Sequence, residues 1–433
     1  MLTSDENIQL TQVGPGTRMG ALMRRYWHVV APLSEMENRW TKRVRLLGED
    51  LVLFKDLEGR FGLIGEYCPH RRASLAYGIP SEDGIRCMYH GWHFDAQGNC
   101  IEQPFEQRHA LKDKKVTAGY PVQELGGLLF AYLGPAPAPL LPRFEALVGP
   151  GAIRHVSRQE IPCNWLQIME NSADPVHTEW LHGKLTEFIT KEPVAFSRRH
   201  AKIGFDEFEF GLIKRRLMEG QSEDSDDWKV GHPIVFPNIL SFGSGGGLWK
   251  ALQLQFRVPV DDTNTVHYWF AAYFPPDLAQ VPEEMLTRVP LYTFPTKDAD
   301  GNYLLQYVDN QDVVAWITQG AVADRTQENL GASDQGVVAF RNMLRREMER
   351  VERGEDPLGT VRDVERNQVI SLPLEVHKDM LSDGFARSFR RNTGMFSPYA
   401  ENILSIMEHG RPAGVSSAQT TAPSNLREPV NAK

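Results

Sequence analysis

From Arg43 onward the chain breaks into short apolar runs set between turn residues. Runs at 44–47, 51–54 and 61–64 are punctuated by Gly48, Gly59 and Gly62, and a similar run occupies 128–133. Regular short strands with turn signals predict a small antiparallel β domain. Before it, Leu22, Met23 and Tyr26 stand at helical spacing and predict a helical N-terminal segment over residues 1–40. The proline-rich stretch 134–139 reads as an extended spacer, which closes a first domain at 41–139. Strand-like runs return at 234–236, 251–258 and 266–273. The second of these alternates polar and apolar residues, as a sheet with one covered face does. A helix is expected from Gly336 through Glu352, with its charges on a solvated face. A second, larger domain therefore spans 140–410. Residues 411–433, rich in Ser, Thr, Ala and Pro, read as a disordered tail.

Composition narrows the class without naming a chemistry. A chain of 433 residues with 41% hydrophobic and 24% charged residues is an ordinary globular protein of two or three folding units. No apolar run approaches the roughly 20 residues needed to cross a bilayer, and the amino end lacks the basic and apolar regions of a secretory signal. Four cysteines are too few for a disulfide framework, so a reducing, cytoplasmic location is expected, with Cys100 and Cys163 as inert thiols. The net charge of −9 argues against nucleic acid as a partner. It leaves room for an anionic small substrate met by one or two local cations.

The chemistry concentrates in two places. Cys68 and His70, then Cys87 and His90, form a Cys-x-His and a Cys-x-x-His pair. A zinc finger groups its cysteines in one pair and its histidines in the other, whereas here each half supplies one of each. That suits a binuclear cluster whose two irons take different ligands, the set of a Rieske [2Fe–2S] centre. A zinc module stays open as an outside reading and predicts a colourless protein.

The second place is Asn171, Asp174, His177 and His182. On a continuous helix the first three share a face, while His182, five residues past His177, points elsewhere. If both histidines hold one metal, the helix loosens or ends between them, and Gly183 would permit an ending. Two histidines and a carboxylate make the facial triad of non-haem iron oxygenases. Asp312 is the preferred carboxylate, with Asp309 its rival. Gly243 to Gly247 reads as a flexible turn rather than a dinucleotide fingerprint. Phe236, Phe242 and Trp249 are expected to line the pocket, and Lys214, Arg215, Arg216, Lys250 and Arg257 are candidates for a substrate carboxylate.

In these motifs the chain resembles the Rieske non-haem iron aromatic-ring-hydroxylating oxygenases, specifically the oxygenase (alpha) component, and the resemblance covers residues 15 to 400. The stretch 325–336 and Gln311-Asp312 resemble the phthalate-dioxygenase branch, which includes aryl-ether O-demethylases. The resemblance implies an α+β fold: an N-terminal Rieske antiparallel β domain, and a C-terminal catalytic domain whose antiparallel sheet is flanked by helices in a helix-grip, START-like arrangement. It implies Cys68, His70, Cys87 and His90 as cluster ligands, and His177, His182 and Asp312 as ligands of a mononuclear Fe(II). Asp174 matches the carboxylate that bridges to His90 of a neighbouring subunit in a head-to-tail homotrimer. The implied activity uses O2 and NAD(P)H-derived electrons on an aromatic, carboxylated substrate. Dioxygenation of a benzoate- or phthalate-like ring is the first expectation and O-demethylation the alternative. The electrons are expected from a separate reductase carrying flavin and a plant-type [2Fe–2S] cluster. A non-catalytic Rieske carrier is the reading of another class, and the long segment after the spacer argues against it.

Overall fold

The computed structural model describes residues 1–106, 110–246, 249–279, 281–376 and 384–409. The expected tail, 411–433, lies outside them. Two helices open the chain, Ser4–Thr11 and Arg18–Met23, each capped by a threonine hydroxyl, Thr3 and Thr17. The expected helical segment stops there. Trp27–Pro32 is a strand, buried along its whole length and paired with Leu128–Tyr132. A strand buried on both faces shows no alternation, so its pattern is not distinct from a short helix.

The N-terminal half is built from three small antiparallel sheets. One holds Trp27–Pro32, Leu128–Tyr132 and Val122–Leu125. Another holds Thr41–Leu46, Glu49–Lys55, Phe61–Gly65 and Gly119–Tyr120. The third holds Ile79–Ser81, Gly84–Arg86, His93–Phe94 and Cys100–Glu102. The C-terminal half centres on an eight-stranded sheet. Its order is His200–Phe208, Gly211–Met218, His232–Val235, Ile239–Gly246, Trp249–Pro259, Thr265–Phe274, Ile153–Ile161 and Leu291–Tyr292, and only the last pairing is parallel. The glycine-rich segment expected to be a turn is strand: Gly243 to Gly246 pair with Leu252 to Trp249 in register. Sheet pairing supplies the order that glycine lacks by itself.

The strand Trp249–Pro259 decides where the site lies. Leu254, Phe256 and Val258 face a core shared with Val29 and Phe130 of the N-terminal half, and Phe130 meets Phe256 edge-on at 5.8 Å. The turn at Leu47 and Gly48 also docks there, donating to Pro259 O and Val260 O at 3.0 and 2.8 Å. The polar face of the same strand is covered as well. Gln253, Gln255 and Arg257 point into a cleft closed by helical segments, so the alternation marks a buried polar wall rather than a solvated one.

The helix Trp165–Ala173, with eight buried residues, crosses behind that cleft. Its Glu170 takes Arg325 Nη2 at 2.7 Å and Arg341 Nε at 2.6 Å. Arg341 also pairs with Glu328. The stretch 325–336 therefore braces this helix, together with Gln335–Glu352, which forms one residue ahead of the expected start. A buried carboxylate with two guanidiniums is compensated charge that is costly to break.

Candidate active site

Two loops in the N-terminal half carry Cys68 and His70, after the strand Phe61–Gly65, and Cys87 and His90, between Gly84–Arg86 and His93–Phe94. They repeat one backbone plan. In each, the cysteine N–H donates five residues ahead, Cys68 to Ala73 O at 2.9 Å and Cys87 to Trp92 O at 2.8 Å. Its carbonyl accepts from the fourth residue, Arg72 or Gly91, at 2.8 and 2.9 Å. That fourth residue is left-handed in both, with φ of 63° and 71°. Cys68 and Cys87 are buried, His70 is half-buried and His90 exposed. The imidazole centroids stand 4.6 Å apart, and Trp92 stacks on His70.

These residues suit an iron–sulfur cluster. Burial pushes the Cys68 thiol up to about 11, and the neighbouring Cys87 adds to it, so paired thiolates here call for a cation. The N–H groups of His70 and Arg71 point at the Cys68 sulfur. Nδ1 of His70 is buried without a hydrogen-bond partner.

The other constellation assembles from three elements. The helix Trp165–Ala173 ends before Asp174, whose extended backbone (φ −96°, ψ 112°) follows from Pro175 after it. His177 therefore does not continue that helix, contrary to the shared face expected with Asn171. Thr178–Lys184 is then a π-helix. Its i→i+5 bonding widens the turn beyond the 3.6 residues of an α-helix, which brings His182 back toward His177 across their five-residue spacing. The ring centroids lie 5.2 Å apart. Gly183 does not end the helix, which runs on through Leu185–Thr190. Its bare Cα instead admits the chain at Phe196 and Ser197, since a Cβ would fall 2.5 Å from Ser197 Cα. Phe196 consequently packs edge-on to His182 at 5.8 Å.

The helix Val308–Ile317 supplies Asp312. One atom each of His177, His182 and Asp312 lie within 4.8 Å of one another. Asp312 Oδ1 is 3.3 Å from His182 Nε2 and 3.9 Å from His177 Nε2. Asp309, a turn earlier, faces away and accepts Thr393 N–H at 2.8 Å. Burial works against the Asp312 anion, but His182 and His177 hold its carboxyl below the usual range. Asp174 sits behind His177, its Oδ2 3.6 Å from Nδ1. It also accepts the N–H of Val176 and of His177 at 2.7 and 3.2 Å.

The triad opens on a cleft of about 880 Å³, its mouth included. Of the five candidate cations, Lys214, Arg216 and Arg257 line it and are buried. Arg215 turns away to Asp206 and Lys250 to Glu145, at 2.5 and 2.6 Å. Burial pushes the Arg257 guanidinium down to about 9, and its Nε has no hydrogen-bond partner. Phe242 and Trp269 are aromatic walls. Phe236 instead lies on the opposite face, in the connection between His232–Val235 and Ile239–Gly246, against Tyr26 and Phe340. The side chain of Trp249 lies outside the described residues. Sequence reasoning gave no role to Gln311, which meets His182, or to Ser388, Arg391 and Asn392, which close the cleft. Gln311 adjoins Asp312 and was within reach, whereas 388–392 carries no motif.

Known proteins match this chain over most of its length. The family described as Rieske [2Fe-2S] domain matches residues 26–121, and LigXa C-terminal domain like matches 296–381. The 5,5'-dehydrodivanillate O-demethylase oxygenase subunit of Sphingobium sp. (strain NBRC 103272 / SYK-6) is 44% identical over 89% of either chain. The phthalate 4,5-dioxygenase oxygenase subunit of Pseudomonas putida is 32% identical, over 88% of this chain and 94% of its own. The structure of Pseudomonas putida CBB5 NdmA shares the fold, with a TM-score of 0.59 at 19% identity, over 78% of this chain and 94% of that one. Oxygenase chains of this kind carry both a [2Fe–2S] cluster and a mononuclear iron, and the residues above suit both. The chain belongs to the Rieske non-haem iron oxygenases, as an oxygenase component.

Proposed function

We propose that this chain is the oxygenase component of an aryl-ether O-demethylase acting on a carboxylated aromatic. The observation that carries the reading is the set of three buried cations, Lys214, Arg216 and Arg257, in the same cleft as the iron triad. A guanidinium can take a carboxylate in two parallel hydrogen bonds, and burial strengthens such pairing. Demethylation is preferred over ring dioxygenation because the O-demethylase subunit is 44% identical and the phthalate dioxygenase subunit 32%, at similar coverage.

In this reading Cys68 and Cys87 hold one cluster iron, His70 and His90 the other, and His177, His182 and Asp312 hold the mononuclear iron. When bound, the metals supply O2 activation with electrons delivered through the cluster, so that the hydroxylated ether methyl leaves as formaldehyde and frees a phenol. The protein's part is to orient and exclude water. Gln311 fixes the His182 ring, Asp174 the His177 ring, and the cations set the ring of the substrate with its methoxy group toward the triad. The exposed tip of the cluster loop, Met88, Tyr89 and His90, suits transfer to another chain. It would face Asp174 of a neighbouring copy in a homotrimer and accept electrons from an NAD(P)H-dependent reductase.

Oxygen uptake with NADH and a surrogate reductase tests this on methoxybenzoates, benzoates and phthalates. Formaldehyde should form in step with O2 consumed, and kcat/KM should fall roughly 10- to 100-fold in Arg257→Met for acids but not for their methyl esters. A cis-diol without formaldehyde would establish dioxygenation instead. Equal turnover of acids and esters would remove the cations from recognition.

A further inference from the structure

The iron cleft does not end at the reacting position. A second cavity of about 510 Å³ shares Phe242, Gln253, Trp269, Ser388 and Asn392 with it, so the two compartments meet at those residues. Their walls differ in kind. The first holds the triad and the three cations. The second adds Ala251, Tyr273, Phe385, Phe389 and Gly394 and no charged side chain. Its aromatic rings form one cluster, with Tyr273 edge-on to Phe385 at 6.0 Å and to Phe389 at 5.9 Å.

The register of the sheet orders the two compartments along a line. Residues directly opposite in an antiparallel pair share a face. On the cleft side Ala251 stands opposite Tyr273, Gln253 opposite Ala271 and Phe242, Gln255 opposite Trp269 and Leu240, and Arg257 opposite His267. The wall thus runs from aromatic through amide to cation over six residues, about 20 Å at roughly 3.3 Å per residue. That length exceeds a single benzoate ring. Two small residues keep the far end open. Ala251 is the methyl opposite Tyr273, and a Cβ on Gly394 would stand 3.3 Å from the Phe389 ring. At the waist, Gln253 Oε1 is buried without a hydrogen-bond partner, an acceptor that meets no donor from the protein.

We infer that the site takes a two-ring aromatic acid, with one ring and its carboxylate between the cations and the triad and the second ring in the aromatic compartment. A hydroxyl near the ring junction donates to Gln253 Oε1. This rests on the carboxylated-aromatic reading above and specifies the size and polarity of that substrate.

Affinities of the iron-loaded protein for a methoxybenzoate and for a methoxylated biphenyl carboxylate, measured by calorimetry, test it. The two-ring acid should bind about ten-fold or more tightly than the one-ring acid, as burial of a second ring requires. Ala251→Phe, which fills the far compartment, should bring that ratio close to one. Ala251→Val should lie between, and covers the case in which the larger residue does not fold. A ratio near one in the unaltered protein, or one unmoved by either variant at unchanged melting temperature, overturns the inference and leaves the acid reading standing. Failure of both acids to bind removes the acid reading and this inference together. A junction hydroxyl should tighten binding to the unaltered protein but not to Gln253→Leu, and equal affinity with and without it removes the role given to Gln253.

Discussion

Gln311 Oε1 lies 2.9 Å from His182 Nδ1, while Nε2 of the same ring faces Asp312. The amide is itself fixed, since its Nε2 donates to Thr186 Oγ1 at 2.9 Å and Leu305 O at 2.7 Å. With the amino side committed, the oxygen must face the imidazole. His182 therefore carries its proton on Nδ1 and presents the Nε2 lone pair to the metal position.

Gln311→Leu removes the acceptor that sets this tautomer. Affinity for the mononuclear iron should fall about 10- to 100-fold, with the absorption and EPR signals of the cluster intact. Iron titration of chelator-treated protein measures it, and unchanged affinity would show that the amide does not set the ring.

Asp309 and Asp312 should separate cleanly. Asp312→Ala should lose the mononuclear iron, whereas Asp309→Asn should keep it. Burial, opposed by the hydrogen bonds of Thr393, pushes the Asp309 carboxyl up to about 7 from an ordinary 3.8. Between those values the folded chain keeps a proton that the unfolded chain has released. The stability it contributes is complete below about pH 4 and lost as pH rises through about 7. In iron-free protein, Asp309→Asn should therefore gain stability at pH 8, on the order of a few kcal/mol, and little at pH 4. Denaturant melts at the two pH values decide it, and a difference independent of pH contradicts the buried, protonated carboxyl.

Gly183→Ala drives a methyl into the backbone of Ser197. The chain at 196–197 must then shift and Phe196 must leave His182, at a cost of roughly 1–3 kcal/mol. Thermal melting and iron affinity should both decline. A variant with unaltered melting would mean that the close approach is not maintained in solution.

Asp174→Asn keeps an acceptor for the short Val176 N–H bond at Oδ1 and gives up only the longer one from His177 N–H at Oδ2, so the fold and both metals should persist. Reoxidation of the reduced cluster by the iron site, followed by stopped-flow absorbance, should slow by orders of magnitude if this carboxylate links neighbouring copies. An unchanged rate sinks the bridging role.

Much of this architecture was legible in the residues. The runs at 51–54, 61–64, 251–258 and 266–273 fall inside strands, and that at 44–47 all but its last residue, since short apolar runs between turn residues have few alternatives. The helix Gln335–Glu352 was expected from Gly336 through Glu352, its charge run on a solvated face. What escaped reading depended on contacts distant in sequence. Trp27–Pro32 is a strand because Leu128–Tyr132 pairs with it, and the glycines at 243–246 are ordered by Leu252 to Trp249. In the site, the motif histidines were nameable from the residues, and Asp312 from the resemblance. The choice against Asp309 was not, because helical phase alone leaves both near one face. Nor was it visible which cations turn inward, although Lys214, Arg216 and Arg215 differ only in parity along one strand.

The polar face of Trp249–Pro259 has a consequence for how such enzymes diverge. Because Leu254, Phe256 and Val258 pack the core while Ala251, Gln253, Gln255 and Arg257 line the two cavities, a point change at 251, 253, 255 or 257 alters the cleft wall and leaves those core contacts in place. Each position samples a different depth of the cleft. New substrate ranges are thus reachable by single steps along one strand, with the redox apparatus inherited whole.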